Sequence, residues 1–178
     1  MTRRKVFVSY HHADAVEVRA LVDKHRSVMI PRGIGGGVTD DDNFIASDDT
    51  EYILRRIREK YLSDSTVTVV MVGRCTWARK YVDWEIAASL RNDATNGRSG
   101  LLSILLPSRR NSPPTVPQRV RDNARMKGDS DGYGRYHYAP SSSPQLAGWL
   151  EDAADARFSR AHLIKSPRSP LRAKNSPC

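Results

Sequence analysis

The chain has 178 residues, 39% of them apolar, which suffices for one domain of ordinary size with a real core. No apolar run approaches the roughly 20 residues that span a bilayer. The formal charge is +9. Residues 157–178 carry six cations and no acid, but no DNA-binding motif accompanies them, so a nucleic-acid partner is not expected.

The start, MTRRKVFVSYHH, runs from basic residues into a strand over Lys5–Tyr10. Its apolar run is too short for a signal-peptide core, which points to a cytoplasmic protein. A helix is expected over Ala13–His25, with Val16, Ala20 and Val22 or Asp23 marking its turns. Val28–Ile30 reads as a short strand before Pro31. A long loop follows, PRGIGGGVTDDDNFIASDDT. Its glycines at 33, 35, 36 and 37 lack the Lys-Ser or Lys-Thr of a phosphate loop. Asp40, Asp41 and Asp42 are consecutive, with no closing Glu, so the spacing is not that of a calcium loop. A mobile cover over a site is the preferred reading.

Ile53, Ile57 and Tyr61 repeat by four and place a second helix over Thr50–Leu62. The stretch TVTVVMVGRCTWARKYVDWEIAASL, from Thr66 to Leu90, comes next. Val67 and Val69–Val72 form a near-continuous apolar run that suits a strand covered on both faces. Gly73 ends it. A helix starting near Ala78 or Arg79 has an apolar stripe at Val82, Ile86 and Leu90. Glu85 lies about 100° from the centre of that stripe, neither plainly in solvent nor plainly in the core. An ordinary surface Glu near a helix N-terminus is the competing reading.

Leu101–Leu106 is a third buried strand, stopped by Pro107. The proline- and glycine-rich stretch after it holds a helical turn near Gln118–Asp122. Tyr133–Tyr138 adds a short edge strand. Ser143 suits an N-cap with Pro144 at the first helical position, opening a helix to about Arg157 with Leu146, Leu150, Ala153 and Ala154 inward. Prolines 167, 170 and 177 argue for an unstructured tail, so residues 1–165 are expected to form the domain and 166–178 a disordered extension. Cys75 and Cys178 make no disulfide framework and have no metal-ligand company.

Alternating strands and helices predict an α/β sandwich around a mostly parallel sheet. Parallel strands would bring Ser9, Tyr10, His11 and His12 to one edge with Arg74, Thr76 and Trp77, and ligands bind at that edge of open α/β sheets. Glu85, flanked by Trp84, enters from the following helix. No Ser-His-Asp order, HExxH or CxxC is present. A lone carboxylate can stabilise the oxocarbenium-like charge that forms when an N-glycosidic bond breaks. A cationic leaving group such as the nicotinamide of NAD+ needs no general acid, so one Glu suffices without a metal.

KVFVSYHHAD, SDSTVTVVMVGRCTWARKYVDWEI and GLLSILLP resemble the TIR-like domain of the ThsB proteins in bacterial Thoeris antiphage systems. VPQRVRDN and YGRYHYAP resemble that family's downstream segments, so the likeness covers roughly residues 4–165. The resemblance implies a TIR-like, flavodoxin-like three-layer sandwich. It also implies cleavage of NAD+, used as substrate with no other cofactor, to a cyclic or modified ADP-ribose that activates a partner effector. Glu85 matches the family's catalytic Glu, and Phe7, Ser9 and His11 match first-strand positions around the nucleotide pocket. Tyr10, Arg74, Thr76, Trp77 and Trp84 complete the expected substrate-binding set. A phage-derived trigger and self-assembly stay open. The alternative is a TIR-like protein-interaction module without turnover.

Overall fold

Strand β1 (Arg4–Tyr10) sends alternate side chains to opposite faces of a sheet. Val6 and Val8 enter one core, and Phe7 enters another on the far side. Ser9 shares the parity of Phe7. The computed structural model describes residues 3–92, 97–126, 132–165 and 170–178. The expected polar loop at 92–100, the connection after Pro107 and the tail each fall partly outside these residues.

The sheet has six strands, all parallel, in the order β2-β1-β3-β4-β6-β5. They are β1, β2 (Met29–Arg32), β3 (Val67–Val72), β4 (Gly100–Leu105), β5 (Ala124–Met126) and β6 (Gly134–Tyr138). β3 and β4 are buried along their whole length, as their mostly apolar runs, broken only by Thr68, Gly100 and Ser103, lead one to expect. On one face, α1 (Ala15–Lys24) and α5 (Ser143–Ser159) pack Val18, Leu21, Val22, Leu146 and Leu150 against Val6, Val8, Val69 and Ile104. On the other face, α2 (Thr50–Ile57), α3 (Lys80–Leu90) and α4 (Gln118–Asn123) cover Phe7, Val70, Val72 and Leu101. The result is the three-layer α/β sandwich expected from sequence. The chain leaves β1 toward β2 on one side and returns to β3 on the other. The β1/β3 boundary is therefore the topological switch point, where such sheets open a crevice.

Local chemistry sets the element ends. Asp49 caps α2 by accepting from the Glu51 and Tyr52 amides. Beyond Ile57 the helix continues as one wide turn over Arg58–Leu62, so the expected span to Leu62 is matched in length. Buried Arg58 ties that turn to the Ala88, Arg91 and Gly97 carbonyls.

Several expectations are corrected. Val16 is 84% exposed, because α1 turns Val18, Leu21 and Val22 inward instead. The cap of α5 is Ser142, one residue before the expected Ser143. The strand over 134–138 is internal, because the three-residue β5 adds a further edge beside it. Residues 170–178 are not a free tail: they lie along α3, and Cys178 is bonded to Cys75. The two cysteines are 103 residues apart, so only the fold brings them together.

Candidate functional site

Val82 and Ile86 point α3 at the sheet, which aims Glu85 at the end of β1 and the loop after β2. Glu85 is 3% exposed. The position flanking the apolar stripe is a buried one, and the surface-Glu reading is set aside. Ser9 Oγ donates to Glu85 Oε2 at 2.5 Å, and the Val38 amide donates to Oε1 at 2.8 Å. The loop approaches this closely because residue 37 is glycine: a Cβ there would lie 1.9 Å from Oε1. Gly33 and Gly35 have positive φ of 78° and 106°, which lets the chain turn back over Phe7 and Tyr10. The glycine-rich stretch thus lies over the carboxylate, tied to it and to Tyr10 by these hydrogen bonds. Gly33 sits on the Phe7 ring, and the Gly35 amide donates to Tyr10 Oη at 3.1 Å.

Burial pushes the Glu85 carboxyl up to about 7, against the lowering effect of the Ser9 and Val38 hydrogen bonds. Near neutral pH the group is therefore poised between acid and carboxylate. His11 is held below its usual value by burial and by the Arg79 charge, so it is neutral at pH 7. Asp14, behind it, is raised by burial and donated to by Thr76.

A cavity of about 470 Å3 opens beside Glu85 at the switch point. Tyr10, His11 and His12 line it from the end of β1, residues 35–40 from the loop, Arg79, Tyr81 and Val82 from α3, and Asn175 from the C-terminal segment. Tyr81 donates its hydroxyl to Asp40, which joins the loop to α3. Lys80 Nζ lies 4.6 Å from the centre of the Tyr81 ring. One wall carries Arg79 and Tyr81, and the other is the loop, whose Gly35, Gly36, Val38 and Thr39 amides are engaged within the protein. Such a lining suits a ligand with hydroxyls, an aromatic ring and negative charge.

The structure brings Glu85, Ser9, Tyr10 and His11 together, with Phe7 beneath the loop as a buried support. The other expected contacts are corrected in placement. Arg74 is exposed and outside the cavity lining. Thr76 is buried in the β3–α3 turn, where it accepts from the Gly73 amide. Trp77 is half-buried, and its carbonyl accepts from Arg172. Trp84 is 6% exposed and spends its indole N–H on the Arg172 carbonyl. None of the four is part of the cavity lining. The acids of the loop are also engaged: Asp42 accepts from Lys60, Tyr61 and the Thr39 amide. Among the described residues, no group of three His, Cys, Asp or Glu side chains is placed to hold a metal.

Sequence reasoning missed Tyr81 and Asn175. Tyr81 carries a helix-face signal, being four residues before Glu85. Asn175 carries none, because nothing local ties the last residues to α3.

The family model described as "Thoeris protein ThsB, TIR-like domain" matches residues 7–111. That range holds Ser9, the glycine-rich loop and Glu85.

Proposed function

The chain belongs to the ThsB TIR-like family of Thoeris antiphage defence, and from this premise we propose that it is an enzyme that cleaves NAD+ at the bond to nicotinamide. The observation that carries the reading is Glu85, a carboxyl 3% exposed yet facing a cavity at the switch point of the sheet. A buried, poised carboxyl in a cleft needs a reason to be there, and charge stabilisation during bond breaking is one.

In this mechanism the nicotinamide ribose sits against Glu85. Each carboxylate oxygen has a lone pair beyond the one used by Ser9 or Val38, and these accept from the ribose hydroxyls. The bond from the ribose carbon to the pyridinium nitrogen breaks, and its electron pair leaves with nicotinamide, which becomes neutral. The positive charge passes to the ribose, where ionised Glu85 stabilises it. A water or a hydroxyl of the same ligand adds to the carbon and loses its proton, giving linear or cyclic ADP-ribose. Ser9 holds the carboxylate in place. Neutral His11 and the Arg79 guanidinium receive the phosphates. Covering by residues 33–40 excludes bulk water, which strengthens the electrostatic term.

We place the protein in the cytoplasm, with an effector that receives the nucleotide product as its partner and a phage-derived signal as its trigger. Among the described residues no helix is long and apolar enough to cross a membrane. A second reading has its own observation: both oxygens of Glu85 are held by the protein itself, as in a purely structural anchor of the loop. In that case the domain works by assembly. Incubation of the purified protein with NAD+, with and without phage-infected lysate, separates the two. Mass spectrometry should find nicotinamide and an ADP-ribose product; intact NAD+ under every condition supports the anchor.

A further inference from the structure

Residues 170–178 lie outside the matched range 7–111, yet they reach the site. Arg172 is the main clasp: its amide donates to Asp83 Oδ2 at 2.9 Å, and its carbonyl accepts from the Trp84 indole at 2.8 Å. These bonds grip the two residues before Glu85. Asn175 Oδ1 accepts from the Lys80 amide at 2.8 Å, which caps the open N-terminus of α3, where Arg79 supplies no side-chain cap. The Ser176 amide donates to the Ala78 carbonyl at 3.0 Å. The segment ends in the Cys75–Cys178 bond, in the turn that joins β3 to α3. Asn175 is also part of the cavity wall.

We propose that residues 170–178 form a covalently latched wall of the binding site, with Asn175 as its ligand-facing residue, and that a dithiol opens the latch. The proposal takes from the function above that this cavity binds the ligand and that the protein sits in the cytoplasm. The noncovalent ties are these hydrogen bonds and the packing of Leu171 against the core that holds Phe7 and Trp84. The disulfide makes the segment permanent by holding its end at the site. Cys178 is exposed, so a reductant can reach it. A thiolate of the dithiol attacks one sulfur of the pair and forms a mixed disulfide, and its second thiol displaces that sulfur. The S–S bond breaks, the dithiol gives up two electrons and closes to its own disulfide, and Cys75 and Cys178 each end as a thiol. Disulfides in reducing compartments are mostly catalytic or redox-sensing, and this one fits the second role. Release uncaps α3 and removes one side of the cavity.

The test compares wild type, wild type treated with dithiothreitol, Cys178→Ser and Asn175→Ala. Hydrogen exchange at the α3 amides and carbethoxylation of His11 by diethylpyrocarbonate report the wall without any nucleotide, and exposed His162 is the control. Reduction and Cys178→Ser should each raise both rates severalfold, with His162 and circular dichroism unchanged. NAD+ titration of Asn175→Ala, its disulfide intact, should show Kd raised about tenfold for one lost contact. Unchanged exchange and labelling after reduction would overturn the latch, and so would global unfolding, which makes the bond a structural staple. Asn175→Ala binding like a wild type that binds would overturn the ligand-facing role. A wild type that binds no NAD+ refutes the function above, while hydrogen exchange and His11 labelling, which need no nucleotide, still decide the wall.

Discussion

Replacing Glu85 by Gln should make the protein more stable at high pH. The carboxyl sits at about 7 in the folded chain against an ordinary 4.5. The folded state therefore keeps a proton that the unfolded state has lost across that window. Stability falls as pH rises wherever the folded state binds more protons. The loss begins near pH 4.5, is complete above pH 7, and is absent at lower pH, where both states are protonated. One proton difference is worth about 1.4 kcal/mol per pH unit, so the full loss is about 3 kcal/mol. Gln keeps both hydrogen bonds, its oxygen accepting from Val38 and its amide donating to Ser9 Oγ, and it has no proton to lose. For a chain of this length 3 kcal/mol moves the melting temperature by about 6–12 °C. Thermal melts of both proteins from pH 4 to pH 8.5 measure it. Other titrating groups contribute equally to both, so the difference between the profiles isolates Glu85. That difference should open in favour of Glu85→Gln between pH 4.5 and 7. Parallel profiles would refute the burial argument.

Three further perturbations test the surroundings of this carboxyl. Ser9→Ala removes a bond that holds the Glu85 value down, so the pH midpoint of nicotinamide release should move up while the fold survives; a midpoint unmoved within error counts against the Ser9 contact. Gly37→Ala puts a methyl where Oε1 now lies, so the loop must shift by about an ångström and activity should fall about 10²-fold, with near-wild-type turnover contradicting the cover. Leu150→Ala, in the fully buried core under the sheet, should cost about 2–5 kcal/mol by denaturant melt; a loss under 1 kcal/mol would mean that α5 is not packed as described.

What was legible in the sequence follows the range of the interactions involved. β3 and β4 are near-continuous apolar runs, and their assignment needs nothing beyond six adjacent residues. The helix carrying Glu85 was readable from Val82, Ile86 and Leu90. The burial of Glu85 was not, because it depends on which loop closes over the flank of the stripe. The glycine run pointed to a cover, but that Gly37 is the residue in contact depends on register. Trp77 and Trp84 are among the expected substrate-binding residues, being near a strand end. Trp84 instead turns its indole to the 170–178 segment, and Trp77 meets that segment only through its carbonyl; the segment shows no periodicity, and its hydrogen bonds reach residues roughly 90 positions earlier. A disulfide closing 103 residues leaves no mark on local pattern either.

The central claim is that Glu85 carries the chemistry. Nicotinamide released from NAD+ should be measured for wild type and Glu85→Gln side by side, under a condition in which wild type turns over and with the folded fraction of each checked by its melt. The variant should release nicotinamide about 10²- to 10³-fold more slowly, the effect of removing one group that stabilises developing charge. Equal rates from the two proteins would contradict the account.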